Sequence, residues 1–116
     1  MRTLGVSSCA LALVVVLGVG GVAEADDTGF ASIHSWVNVG RKTCLADHFH
    51  SGSGQGPTRR VAERQAIQSW ADYTAWEYGR VWGRYGIAAS KKMNCERSSG
   101  WTCFVEARPC RTRRGR

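Results

Sequence analysis

The chain has 116 residues, with 16 Lys and Arg against 9 Asp and Glu, a formal charge of +7 at pH 7. That length holds one small hydrophobic core and excludes a multidomain enzyme. The charge favours anionic partners over cationic ones. Neither Gly-x-Ser-x-Gly, nor a Walker loop, nor His-Glu-x-x-His occurs, so the familiar signatures of hydrolases, nucleotide-binding proteins and zinc proteases are excluded.

Residues 1–25 open with Arg2, run apolar from Leu11 to Val19 and close on Ala23-Glu24-Ala25. This order of charge, apolar stretch and small-x-small is that of a secretory signal peptide cleaved after Ala25. The apolar run is too short to span a bilayer comfortably, so no transmembrane segment is expected once the leader is removed. Cleavage removes Arg2 and Glu24 together, leaving the net charge unchanged, and discards Cys9. A periplasmic or secreted location follows, with residues 26–110 as a single small domain and 111–116 as a basic tail.

Residues 26–29 read as a flexible start. Over residues 30–43, Ile33, Val37 and Val39 favour a strand, with imperfect alternation that leaves a short helix open. Residues 44–58 carry Ser51-Gly52-Ser53-Gly54-Gln55-Gly56-Pro57, which reads as a loop. Residues 59–78 form the clearest helix, with Ala62, Ala66, Ile67, Trp70, Tyr73 and Thr74 on an apolar arc. Gly79 is costly inside a helix and predicts a kink or a stop, with a second helical stretch over 80–90. Residues 91–97 and 101–108 read as a β-hairpin around Ser98-Ser99-Gly100, Gly100 taking the left-handed place. The fold class is α+β: a strand, a long helix kinked near Gly79 and a C-terminal hairpin.

After cleavage Cys44, Cys95, Cys103 and Cys110 remain, an even set suited to an oxidising compartment. The hairpin register sets Arg97 opposite Trp101 and Cys95 opposite Cys103, which favours a bridge there and leaves Cys44 for Cys110. By loop entropy the long bridge is worth about 4 kcal/mol and the short one about 2.5 kcal/mol.

Arginines crowd two places: Arg59-Arg60 at the helix start, and Arg108, Arg111, Arg113, Arg114 and Arg116 near the end. Helix N-termini favour anions, so an arginine pair there is awkward unless a negative group docks. Gly56, Thr58, Arg59, Arg60, Arg111, Arg113 and Arg114 are the candidate anion-binding residues. The expected partner is a polyanion: an envelope glycan, lipopolysaccharide or nucleic acid. His48 and His50 face the same way on an extended segment and could serve a small hydrolase or nuclease as acid and base. With Cys44 taken by a disulfide, His48 and His50 form too small a ligand set, so neither metal nor cofactor is expected. A purely structural envelope protein is a third possibility. Trp76, at the edge of the polar helix face, is the candidate exposed aromatic.

The run Gly54-Gln55-Gly56-Pro57-Thr58-Arg59-Arg60-Val61-Ala62 resembles the start of the last helix of double-stranded RNA-binding domains. Glu63 departs from that pattern, where a basic residue belongs, and the three preceding strands do not fit into residues 26–53. The resemblance implies a phosphate-contact motif at most. More broadly, Ala66, Trp70, Tyr78, Gly79, Trp82, Tyr85, Ala88, Lys91, Cys95, Trp101, Cys103 and Ala107-Arg108-Pro109-Cys110 resemble a group of small exported alphaproteobacterial proteins of unknown function. That likeness implies export and fold, without an activity; Cys44 lies outside it.

Overall fold

The computed structural model describes residues 29–113. The expected signal peptide, Arg114 and Arg116 lie outside the described residues. Within them one α-helix and two three-stranded sheets make the expected α+β fold. Strands β1 (Trp36–Val39), β2 (Lys42–Leu45) and β6 (Cys110–Thr112) form one sheet in the order β1-β2-β6. Strands β3 (His50–Gly56), β5 (Trp101–Arg108) and β4 (Ala89–Arg97) form the other, in the order β3-β5-β4. Every strand pair is antiparallel.

The helix α1 spans Arg59–Tyr78 and buries Ala62, Ala66, Trp70, Thr74 and Tyr78, a stripe at strict four-residue spacing. This is narrower than the expected arc: Tyr73 is 49% exposed, and Ile67 is only partly covered. The stripe packs on β3 and β5, closing a core of Ala62, Ala66, Trp70, Ala88, Cys103, Val105 and Ala107. Trp70 uses both of its characters there, burying its ring and donating Nε1–H to the Ala107 carbonyl at 3.2 Å. A second core of Ala31, Leu45, Tyr78 and Trp82 sits at the far end of the helix.

The glycine-rich run is no loop. It is β3, paired with β5 along its whole length from His50↔Ala107 to Gly56↔Trp101. A Cβ at Gly52 would fall on the backbone of Ala66 and Trp70, and one at Gly54 on that of Ala62 and Ala66. Alternation puts both glycines on the helix-facing side, where only hydrogen leaves room for backbone to meet backbone. Glycine is used here for close approach, and low strand propensity is overridden by packing.

Three other expectations change. Residues 30–43 hold a 3₁₀ turn (Phe30–Ile33) and then β1, which turns at Gly40 (φ 61°) into β2. Gly79, at φ 105° and ψ 159°, stops the helix in a conformation open to glycine alone, and the chain goes on as two 3₁₀ turns, Arg80–Trp82 and Tyr85–Ile87. The hairpin loop keeps its expected residues, but Gly100 is not left-handed; a Cβ there would stand 3.1 Å from the Gly56 carbonyl oxygen.

Both disulfides join directly paired strand positions, Cys95 with Cys103 across β4–β5 and Cys44 with Cys110 across β2–β6. Only the buried Pro109 separates β5 from β6, so the chain steps between sheets there and is bridged at once to β2. The domain therefore runs past Cys110. Arg111 belongs to β6 and is 9% exposed, its guanidinium 6.0 Å from the Trp36 ring centre and 5.6 Å from that of Trp82. A cation between two indoles is a stable place for a buried charge, and it takes Arg111 out of the expected anion-binding set.

Candidate functional site

The two ends of α1 gather different chemistry. At the N-terminal end Thr58 caps the helix, its Oγ1 accepting from the Val61 amide at 3.2 Å. The first turn holds no acidic residue. Arg59 donates to Glu63 Oε1 at 2.9 Å, an exposed i,i+4 pair, and its guanidinium stands 5.9 Å from the Trp101 ring. Arg97 approaches the same ring, also at 5.9 Å. Beside these groups a polar cleft of about 560 Å³ opens between the β3 end and the hairpin loop, lined by Gln55, Pro57, Ser98, Ser99 and Thr102 among others. Gly56 and Thr58 belong to this end, and Arg60 points outward, exposed. Arg113 is exposed at the chain end beyond β6, in a segment that pairs with the other sheet. Sequence reasoning missed Arg97 and Trp101; their facing positions in the hairpin register were the available signal.

At the C-terminal end of α1, Thr74, Glu77 and Tyr78 meet three histidines. His34 follows the first 3₁₀ turn, His48 precedes β3, and His50 is its first residue. His50 is 4% exposed. Its Nδ1 lies 3.0 Å from Thr74 Oγ1, and its Nε2 lies 3.0 Å from Glu77 Oε2 and 3.2 Å from the Tyr78 hydroxyl. The same hydroxyl lies 3.2 Å from His34 Nε2. The His48 ring centre is 4.4 Å from that of His34 and 5.0 Å from that of His50, confirming that His48 and His50 turn the same way. Asp47 is exposed and stands outside this group.

Burial favours the neutral form of two of these imidazoles, His50 and His48. Burial pushes His50 down to about 4, against the opposing pull of Glu77. His48 is lowered by burial and then by His34. The Tyr78 hydroxyl is held protonated by burial and by the Glu77 carboxylate. Neutral imidazole is the form that binds metal ions or accepts a proton. The donor atoms of His48, His50 and Glu77 all lie within 4.8 Å of one another.

The sequence set metal aside because Cys44 is in a disulfide and His48 and His50 alone are a weak pair. The structure keeps the first point and enlarges the set with Glu77, beside a third imidazole. Glu77 and Tyr78 were legible as helical neighbours of Thr74 (i+3 and i+4), but nothing in the chain announced that β3 would carry His50 against that face. Close by, Trp76 is 76% exposed, its ring 6.0 Å from that of Tyr73 at 23°, so the candidate exposed aromatic is exposed.

Comparison with known protein families, with curated proteins and with solved structures finds no match to this chain. What the fold and sites define directly is a basic, two-disulfide α+β protein. Among its described residues no helix is long and apolar enough to cross a membrane.

Proposed function

We propose that this is an exported protein of the periplasm or cell exterior that binds an anionic polymer, a component of the cell envelope or a nucleic acid, without catalysing its turnover. Two disulfides support export, because such bonds persist in oxidising compartments. One observation carries the binding assignment: Arg59 and Arg97 flank the Trp101 ring beside a polar cleft at a helix start that has no acidic residue. Guanidinium groups give charge-assisted, fork-shaped contacts to phosphate, sulfate or carboxylate, and the half-buried indole between them offers a stacking face. Arg60 adds exposed charge nearby. Burial of His50 weighs against the alternative of a His48 and His50 acid–base pair, which must reach a substrate bond.

The test is retention on a heparin column together with fluorescence titration against polyphosphate. Binding is expected to weaken steeply with salt. The double variant Arg59→Ala, Arg97→Ala should elute at clearly lower salt, while unfolding almost as wild type does, since the exposed Arg59–Glu63 pair is worth about 0.5 kcal/mol or less. Elution of the double variant with wild type overturns the assignment.

A further inference from the structure

The hydrogen-bond inventory around His50 fixes its tautomer. The Thr74 hydroxyl has a single proton, and it goes to the Trp70 carbonyl at 2.7 Å. The Thr74 oxygen can then only accept from His50, so Nδ1 carries the imidazole proton. His50 Nε2 is left with its lone pair turned toward Glu77 Oε2 at 3.0 Å and the Tyr78 hydroxyl at 3.2 Å. The Tyr78 hydroxyl has one proton for three acceptors: His50 Nε2 and His34 Nε2, both 3.2 Å away, and the Glu77 carboxylate. With Nδ1 committed to Thr74, Nε2 is the His50 atom that faces the Glu77 carboxylate, and the two can share one cation.

We propose that His48, His50 and Glu77 form a zinc(II) site, with His50 oriented by the Thr74–Trp70 relay and the fourth position open to solvent on the His48 side. Two imidazoles and one carboxylate form a nitrogen–oxygen ligand set that suits zinc, and three protein ligands with an open fourth position is the arrangement of reactive rather than purely structural zinc. The relay from His50 Nδ1–H through Thr74 to a backbone carbonyl is the outer support that ligating histidines use to hold tautomer and orientation. Among the described residues thiolate ligands are excluded, since Cys44, Cys95, Cys103 and Cys110 are all in disulfides. Imidazoles argue against magnesium or calcium, which prefer oxygen. Glu77 and Tyr78 stand in the last turn of α1, where no basic residue is present and the helix dipole favours positive charge.

Donors on a tetrahedral zinc ion lie about 3.3 Å apart, at bond lengths of 2.0–2.1 Å. His50 Nε2 and Glu77 Oε2 are already closer than that, so the remaining closure falls on His48, which is half-buried and precedes the strand. His34, ring to ring with His48 and hydrogen-bonding distance from Tyr78, positions the pair from outside. The polymer cleft lies at the opposite end of a helix about 30 Å long, so this site stands or falls independently of it.

The experiment is calorimetric titration of the tag-free, oxidised protein with zinc(II) in competition with a chelator of known affinity, paralleled by cobalt(II) absorption. Wild type is expected to bind one zinc per chain and to give the intense visible bands of four-coordinate cobalt, displaced by zinc. His48→Ala and Glu77→Gln, at partly exposed positions, should each weaken zinc by more than about tenfold, and Thr74→Val, removing only the outer support, by about tenfold. Far-UV circular dichroism confirms that each variant is folded. The proposal is overturned by wild type that takes up no stoichiometric zinc, or by folded His48→Ala and Glu77→Gln proteins that bind zinc as tightly as wild type.

Discussion

The two ends of α1 carry charge of the sign their helix dipole resists: arginines where the dipole is positive, a carboxylate where it is negative. The ends manage it differently. Near the start the charges are exposed, spread over Arg59, Arg60 and Arg97, and shared with the face of Trp101, so water does most of the screening. At the finish Glu77 faces a buried His50 within a ring of aromatic side chains, and the arrangement is held by named hydrogen bonds. The contrast teaches what each end is suited to. A solvated, adaptable surface fits a long, irregular anion; a fixed set of donors built around one buried imidazole fits a small ion of defined geometry.

Each end also has its own disulfide, which gives the sharpest way to separate them. Replacing Cys44 and Cys110 with serine should cost about 4 kcal/mol by loop entropy and loosen the sheet that precedes His48. Urea unfolding should report the loss, and zinc uptake should fall while heparin retention per folded molecule holds. Gly54→Ala should cost about 3 kcal/mol, because the added methyl meets the backbone of Ala62 and Ala66. It should impair both ends together, since both depend on α1 lying against β3; a variant as stable as wild type in urea would disprove the close contact. Replacing Cys95 and Cys103 with serine should cost about 2.5 kcal/mol and bear on the other end, lowering heparin retention through Arg97 and Trp101 while zinc uptake holds.

The smallest effect expected is pH-dependent. The groups facing His50 are Glu77, Tyr73 and Tyr78 from α1, with His48 and His34 from the preceding segments. Its folded value of about 4 lies below the 6.5 of an unperturbed histidine, so the unfolded chain takes up the proton first. Stability from this group is complete above pH 6.5 and is lost as pH falls toward 4. In chelator-treated protein the melting temperature should decline over that window, and His50→Gln should flatten the decline. An unchanged melting temperature between pH 7 and 4 would contradict a buried neutral His50.

Much of the cationic end was legible in the chain, because local rules govern it. Ser98-Ser99-Gly100 set the hairpin register, the register set Cys95 against Cys103, and elimination then paired Cys44 with Cys110. The helix end followed from Gly79 as stop. The histidine end was obscure for a physical reason: its three ligands come from two segments, residues 48–50 and the last turn of α1, that meet only through tertiary packing. Gly52 and Gly54 look like linker residues until a helix is laid on them, and reading them as a loop removed the strand that carries His50 to Glu77. Arg111 was misjudged similarly, since an arginine in a basic run looks solvated until Trp36 and Trp82 close on it.

That buried arginine has a consequence for processing of the chain. A trypsin-like protease must draw the whole guanidinium into its specificity pocket and extend the backbone around it. Arg111 offers neither, being held between two indoles in a paired strand beside a disulfide. Trimming of the folded protein from its basic end should therefore halt past Thr112, shedding charge without opening the structure.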